Sequence, residues 1–196
     1  MGLPLMKIAI TGHTAGIGQA FAQILQHRGH NIVGLSKRNG DNIRNIPKIL
    51  EKIISCDLFI NNAQSGYAQT ELLYAVWEAW QDQPGKHIWC IGTMMTQSPT
   101  DQPVPGQSVM AMSQYRNQKI ALDDAITQLR NKKHLPVITM IRPGGIATQP
   151  GQTSEWPYCD VDAWANTVIS TMLLANEQGM RYNELSLGAA KNRIPL

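Results

Sequence analysis

The sequence has few cysteines and no long run of basic residues. Its three cysteines, Cys56, Cys90 and Cys159, lie far apart. An odd number at such wide spacing argues against a disulfide framework and against a metal site, so we expect buried, reduced thiols. The formal charge of +3 is small, which disfavours nucleic acid as a partner.

Long hydrophobic runs are also missing, and no apolar stretch reaches the length that spans a bilayer. Residues 1–6 lack the basic start, the long apolar core and the cleavage site of a signal peptide. We therefore expect a cytoplasmic protein with no membrane partner. The length of 196 residues and the hydrophobic content of 43% suit one domain, which we predict to comprise residues 1–196.

Short apolar runs alternate with segments of helical periodicity. The runs predict strands at residues 8–10, 31–35, 58–60, 88–91, 137–141 and 185–187. Their apolar residues are continuous, which is typical of a parallel sheet that is covered on both faces. Helical spacing predicts helices at residues 17–25, about 43–54, onward from 115 and about 160–175. The alternation predicts an α/β fold with a doubly wound, mostly parallel, Rossmann-like sheet.

A glycine-rich turn follows the first predicted strand. Its glycines allow the backbone to turn tightly and to approach a pyrophosphate, while the next helix directs free N–H groups at the phosphates. A tight strand–helix connection without a ligand is the alternative. The predicted cofactor-binding residues of the turn are Gly12, His13, Thr14, Gly16, Ile17 and Gly18.

A short basic segment, Ser36-Lys37-Arg38, follows the second predicted strand. In such folds the adenosine ribose lies here, and an acidic residue usually accepts hydrogen bonds from the ribose hydroxyls of NAD. A hydroxyl and two cations suit the 2′-phosphate of NADP instead. We predict NADP as the cofactor, with NAD possible, and a solvated basic loop is the alternative. Asp41 is either an adenine contact or a turn residue.

Tyr115 and Lys119 are spaced four residues apart on a predicted helix, so they share one helix face. A nearby ammonium favours the phenolate and lowers the pKa of a tyrosine toward the working range. Thr93 ends the fourth predicted strand and is placed to donate a hydrogen bond to a substrate carbonyl oxygen, with Thr96 and Ser98 as rivals. The alternatives are an exposed helix pair and a threonine that only caps a strand end.

Two further segments follow predicted strands. Asn61-Asn62-Ala63 follows the third, where we expect its amides to brace the centre of the sheet and Ala63 to leave room for the adenosine. The second segment follows the fifth strand, at the edge where parallel sheets bind ligands, and we expect Thr148 to meet the carboxamide of the cofactor. Its predicted cofactor-binding residues are Pro143, Gly144, Ile146 and Thr148.

In this order the motifs resemble those of the short-chain dehydrogenase/reductase family over roughly residues 7–188. The resemblance implies hydride transfer between the nicotinamide of NADP and a small carbonyl or alcohol substrate, in a homodimer or homotetramer. It also implies that Tyr115 and Lys119 form a catalytic pair and that both contact the cofactor. The matching motifs are the glycine turn, Asn61-Asn62-Ala63, the pair Tyr115 and Lys119, and Pro143-Gly144 with Thr148.

The chain departs from the family pattern at several places. Between the second and third strands there is room for one helix, where the family has two helices and a strand. Thr93 stands at the place of the family's serine, and Gln64 at the place of a glycine. The family's catalytic asparagine, which anchors a water of the proton relay, is vacant or replaced because no asparagine lies between Asn62 and Asn117.

These departures leave a second hypothesis, a catalytically weak or inactive dinucleotide sensor or assembly subunit. A Rossmann-type methyltransferase would leave Tyr115 and Lys119 unexplained. For the substrate, we expect apolar walls from the methionines of residues 94–112 and from Trp156 and Tyr158. The alternative is that these side chains fill the core or subunit contacts.

Overall fold

A computed structural model describes residues 5–97, 108–132, 135–149, 151–155 and 157–190. Its six strands form one sheet in the order β2-β1-β3-β4-β5-β6, and every neighbouring pair is parallel. The predicted α/β, doubly wound architecture is confirmed, because each strand coincides with a predicted apolar run. The strands are β1 Lys7–Thr11, β2 Asn31–Leu35, β3 Leu58–Asn61, β4 His87–Ile91, β5 Val137–Pro143 and β6 Glu184–Leu187.

Helices cover both faces of the sheet, as continuous apolar strands require. α1 and α5 pack on one face, where the rings of Phe21 and Trp164 stack with centroids 5.8 Å apart. α2, α3 and α4 pack on the other face. The helices are α1 Gly16–His27, α2 Ile46–Ile53, α3 Ala68–Ala79, α4 Val109–Arg130 and α5 Val161–Glu177.

The connection between β2 and β3 holds one α-helix, α2, as the short segment predicted. This helix begins later than the predicted residue 43, at Ile46, with a proline in its first turn, where the missing N–H of proline is tolerated. α3 was not predicted. Of the helices in the described ranges, none is long and apolar enough to cross a membrane, and the expected cytoplasmic location stays a prediction.

The strand order reverses between β1 and β3, which are neighbours in the sheet although β2 lies between them in the chain. Such a switch point opens a crevice at the carboxyl ends of the strands, where ligands of doubly wound folds bind. The glycine turn, the basic segment, Asn62, Thr93 and Gly144 all directly follow carboxyl ends of strands or lie within two residues of them. The fold therefore collects the predicted motifs at one edge of the sheet.

Candidate active site

Thr11, the last residue of β1, ties the glycine turn to β3. Its hydroxyl accepts hydrogen bonds from the backbone N–H groups of Asn62 and Ala63, at 3.0 Å each. The Asn62 side chain donates from Nδ2 to the carbonyl oxygen of Thr11 at 2.9 Å. On the other side, the Gly12 N–H donates to the carbonyl of Leu35 at 2.7 Å. The turn is thus held between the ends of β2 and β3, and Asn62 has the bracing contact expected of it.

Two positions of the turn require glycine, one for its backbone conformation and one for lack of space. Gly12 has φ +72°, a conformation that favours glycine. A Cβ on Gly18 would lie 2.3 Å from the Gly12 carbonyl oxygen. α1 then begins at Gly16 with no side-chain cap from Ala15 and no acidic residue in its first turn. The partial positive charge at this end of the helix favours an anion nearby.

The His13 side chain lies against β2. A Cβ on Gly34 would lie 2.4 Å from Cδ2 of His13, so the close approach of the ring depends on that glycine. The Nδ1 atom of His13 is buried and has no hydrogen-bond partner among the described residues. Buried polar atoms are rarely left unpaired in proteins. Together with the uncapped helix end, this orphaned nitrogen fits a turn that binds a polar, anionic ligand such as a dinucleotide.

The basic segment lies beside this turn, because Leu35 pairs with Thr11 across the β1–β2 ladder. Ser36 is buried, and its hydroxyl accepts a hydrogen bond from the backbone N–H of Asn39. Lys37 and Arg38 are exposed. The structure thus brings two cations and a hydroxyl to the place where the adenosine ribose was expected.

Asp41 closes the same segment onto α2. It is 4% exposed, and its carboxylate pairs with the ammonium of Lys52 at 2.6 Å and that of Lys48 at 3.7 Å. Its backbone N–H donates to the carbonyl of Ser36 at 2.8 Å. Of the two interpretations left open for Asp41, these contacts favour the turn residue.

Tyr115, Lys119 and Thr93 come together at the carboxyl end of β4. Thr93 is buried and its hydroxyl hydrogen-bonds to the phenol of Tyr115. The Nζ atom of Lys119 lies 5.6 Å from the centroid of the Tyr115 ring. Lys119 is only 3% exposed. An exposed helix pair is therefore excluded, since Lys119 is buried and Tyr115 is half-buried, and a lysine is almost never fully buried unless it is paired.

Thr96 has a different set of partners from Thr93. Its hydroxyl donates to the carbonyl of Thr93 at 3.2 Å and accepts from the Arg142 guanidinium at 2.8 Å. Arg142 also pairs with Asp123 on α4 at 2.7 Å. Thr96 thus anchors the turn that carries Thr93. The other rival, Ser98, lies outside the described residues.

Burial changes the pKa of both members of the pair. The pKa of Lys119 is lowered to about 8, chiefly because burial disfavours the ammonium. The pKa of Tyr115 is raised by burial, which the hydrogen bond from Thr93 only partly opposes. The expectation that the ammonium lowers the pKa of the phenol is therefore not met. The physical reason is the direction of the lysine, whose Nζ donates to Oε1 of Gln69 and to the carbonyl of Ile91, at 2.8 Å each.

Gln69 is a residue of the site that the motifs did not identify. It lies on α3 and is 3% exposed. The chain carries one signal that would have found it. Leu72, Leu73 and Val76 follow at positions i+3, i+4 and i+7 and are fully buried, so Gln69 is a polar residue on the apolar face of its helix.

The segment after β5 reaches the glycine turn. A Cβ on Gly16 would lie 3.4 Å from the Cβ of Thr148. The Gly144 N–H donates to the carbonyl of Leu187 at 3.0 Å, which fixes the chain just after Pro143. Ile146 is 7% exposed and belongs to the core on the α1 and α5 face. Ile146 thus contributes packing, and Thr148 is the residue of this segment that lies beside the turn.

Apolar side chains border the glycines of this segment. A Cβ on Gly144 would lie 3.2 Å from the sulfur of Met94, and one on Gly145 would lie 3.2 Å from Cδ1 of Tyr158. Both residues were predicted to wall the substrate site. Trp156 and residues 98–107, which carry part of the predicted apolar wall, lie outside the described residues.

No protein-family model and no curated protein sequence matches the chain. Solved structures do match. An alcohol dehydrogenase from the archaeon Thermococcus sibiricus, complexed with 5-hydroxy-NADP, is 18% identical at a TM-score of 0.66, over 98% of this chain and 100% of that one. A short-chain dehydrogenase from Burkholderia cenocepacia J2315 in complex with NADP is 16% identical at a TM-score of 0.65, over 96% of this chain and 90% of that one. The fold is that of the short-chain dehydrogenases/reductases.

A third similar structure is the 3-alpha-hydroxysteroid dehydrogenase from Pseudomonas sp. B-0831, complexed with NADH. It is 17% identical at a TM-score of 0.61, over 92% of this chain and 94% of that one. The resemblance stated from the motifs is therefore confirmed at the level of the fold, and it extends over nearly the whole chain. At these identities the similarity shows the fold alone.

Proposed function

We propose that the protein is an NADP-dependent oxidoreductase of the short-chain dehydrogenase/reductase type, which transfers hydride between the nicotinamide and a small carbonyl or alcohol substrate. The observation that carries the proposal is the cluster of Thr93, Tyr115 and buried Lys119 beside the glycine turn. A phenol, a hydroxyl bonded to it and a desolvated ammonium are the groups that a carbonyl reduction requires. The apolar side chains of Met94 and Tyr158 suit an apolar substrate.

The residues present fit the cofactor. The pyrophosphate would lie at the glycine turn, where a side chain at Gly18 has no space and the end of α1 is uncapped. Lys37 and Arg38 would bind the 2′-phosphate, and Thr148 would meet the nicotinamide end near Gly16. Similar structures are complexed with NADP or a derivative of it and, in one case, with NADH, which supports NADP with NAD as a possible second cofactor.

The bound cofactor would supply the hydride to the substrate carbon as NADPH, or accept it as NADP⁺. In the reduction, Thr93 donates a hydrogen bond to the substrate carbonyl oxygen and fixes its position. Tyr115 gives its proton to that oxygen, so the carbonyl becomes an alcohol and the phenol becomes a phenolate. The Lys119 ammonium would donate a hydrogen bond to the nicotinamide ribose. The geometry favours this enzyme over a binding sensor, because a sensor needs no buried lysine beside a tyrosine. On the resemblance to the family alone, the proposal includes assembly of the protein into a homodimer or homotetramer.

The proposal is tested first by fluorescence titration of the purified protein with NADPH and NADH. We expect NADPH to bind at least about tenfold more tightly, because exposed Lys37 and Arg38 meet a dianionic phosphate that NADH lacks. The double variant Lys37→Ala/Arg38→Ala should lose this preference and keep its NADH affinity. Lys132→Ala removes a cation just beyond the C-terminal end of α4 and should change neither affinity. Binding of neither nucleotide by the wild-type protein would overturn the proposed function.

The pKa values of Tyr115 and Lys119 set the pH dependence of carbonyl reduction. The raised pKa of Tyr115 keeps its phenol protonated, and able to give a proton, across the neutral and mildly alkaline range. Lys119, whose pKa is lowered to about 8, loses its charge within that range. The kcat/KM for reduction should therefore fall with an apparent midpoint near pH 8. Rates measured from neutral to alkaline pH check this, and a kcat/KM that stays constant well past pH 8 would contradict the role of the Lys119 ammonium.

A further inference from the structure

Gln69 connects three parts of the site through one buried amide. Its Nε2 donates to the carbonyl of Asn61 at 2.7 Å and to the carbonyl of Ile91 at 3.1 Å. Its Oε1 accepts from Nζ of Lys119 at 2.8 Å. In return, Nδ2 of Asn61 donates to the carbonyl of Gln69 at 2.9 Å. The side chain thus joins the carboxyl ends of β3 and β4 to the lysine of α4.

The two strand ends also determine which way the amide faces. A primary amide has two N–H donors on one side and a carbonyl on the other. Since the carbonyls of Asn61 and Ile91 take the donors, the oxygen faces the ammonium. The reversed orientation would direct the N–H groups of Gln69 at the ammonium and take their donors away from the carbonyls of Asn61 and Ile91, which is costly in a buried site.

These contacts use two of the donors of Lys119, and no acceptor among the described residues takes a third. An ammonium has three N–H groups, of which one goes to Gln69 and one to the carbonyl of Ile91. The third remains for the space beside the ring of Tyr115, 5.6 Å from Nζ. A neutral amine has only two N–H groups, and both would be used by Gln69 and Ile91. Lys119 therefore has a donor for another partner only while it is charged, and its function depends on that charge.

We propose that Gln69 is the positioning residue that replaces the family's asparagine: it holds the ammonium of Lys119 at the carboxyl end of β4 by direct contact and keeps it charged. The role of Lys119 in this proposal rests on the proposed function. The role of Gln69 rests on its hydrogen bonds to Asn61, Ile91 and Lys119.

The surroundings of Lys119 give it little other support. Asp123 and Tyr115 face it from its own helix, Cys90 from β4, and the uncharged Asn61 and Gln69 from β3 and α3. Burial raises the pKa of Cys90 to about 12, so this thiol is neutral. Asp123 is the one charged carboxylate in this set, and it is already paired with Arg142. The two neutral acceptors at 2.8 Å from Nζ, Oε1 of Gln69 and the carbonyl of Ile91, therefore have a large share in keeping the ammonium charged, and Gln69 is the one of them that is a side chain.

The test is a pH titration of Lys119 in the full-length protein by NMR with lysine labelled at the ε carbon. Lys119→Met identifies the resonance. Gln69→Met keeps the volume but removes the acceptor, so the midpoint should fall by about one pKa unit, the equivalent of one hydrogen bond to a charged group. Gln69→Glu places an anion against Nζ and should raise the midpoint by about the same amount or more.

The two variants separate positioning from structure. Both lose the donors to Asn61 and Ile91, so a residue that only braces the strand ends would destabilise the fold in both variants and leave the midpoint of Lys119 in place. Opposite shifts support the inference. An unchanged midpoint of Lys119 in both variants overturns the inference. If Gln69→Met does not fold, an unchanged midpoint in Gln69→Glu is enough to overturn the inference.

Nucleotide titration distinguishes a failure here from a failure of the proposed function. The NMR titration needs neither nucleotide nor substrate. If the wild-type protein binds NADPH but neither variant shifts the midpoint, the role of Gln69 falls and the proposed function stands. If the midpoints shift in opposite directions but no nucleotide binds, the proposed function falls and the contact between Gln69 and Lys119 is still supported.

Discussion

Tyr115→Phe is expected to lower kcat for NADPH-dependent carbonyl reduction by about 10³-fold, within the range that a positioned proton donor contributes. The phenylalanine ring fills the same partly buried space, and the lost hydroxyl has Thr93 as its hydrogen-bond partner. NADPH affinity should therefore stay within about twofold of the wild-type value, since the contacts of the glycine turn are untouched. Single-turnover kinetics with a panel of aldehydes and ketones, together with fluorescence titration, measure the two effects.

Tyr74→Phe is the matched control for this variant. Tyr74 is an exposed tyrosine on α3 whose hydroxyl bonds to Gln128 at 3.3 Å, away from the proposed site. It loses the same atom, so kcat and NADPH affinity should both be unchanged. Turnover by Tyr115→Phe at close to the wild-type rate would remove Tyr115 from the proposed chemistry, whereas parallel loss in both variants would indicate a general effect on folding.

The strands could be predicted from the sequence because a buried parallel strand has a simple signature. In β4, Ile88 and Cys90 contact the core on one face, while Trp89 and Ile91 contact the core on the other. The run 88–91 is therefore apolar throughout, without the alternation of a half-buried strand. Most motifs could be placed for the same reason, since they follow the carboxyl ends of predicted strands and parallel strands bring these ends to one edge. The pair Tyr115 and Lys119, on α4, was placed by its helical spacing.

The inner contacts of the site could not be predicted in this way. Gln69 and Lys119 are 50 residues apart in the chain and meet through one hydrogen bond, which no spacing rule describes. The direction in which the pKa of Tyr115 is shifted could not be predicted from the sequence either. The i+4 spacing correctly put the lysine on the same helix face, but the lysine turns toward Gln69 and Ile91, and burial then decides the pKa of the phenol.

Gly18→Ala tests the glycine turn. We expect this substitution to destabilise the protein, whereas the same substitution in most helices is stabilising. Replacing a helical glycine by alanine normally stabilises a helix by up to about 1 kcal/mol. At Gly18 the added Cβ would lie 2.3 Å from the carbonyl oxygen of Gly12 and 2.6 Å from Nδ2 of Asn62. Backbone must move, and we expect a loss of about 1–3 kcal/mol in the free energy of unfolding, as in overpacked sites. Denaturant unfolding without nucleotide measures this.

The same variant should weaken NADPH binding by about 100-fold or more, because displacement of Gly12 moves the N–H groups that would meet the pyrophosphate. Titration at a temperature where circular dichroism shows a folded protein separates this loss from unfolding. Gln19→Ala adds no atoms at the next, exposed position of α1 and should bind NADPH normally. If Gly18→Ala is destabilised but binds NADPH as the wild type does, the close packing of the turn serves only the contact between α1 and β1, and the nucleotide lies elsewhere.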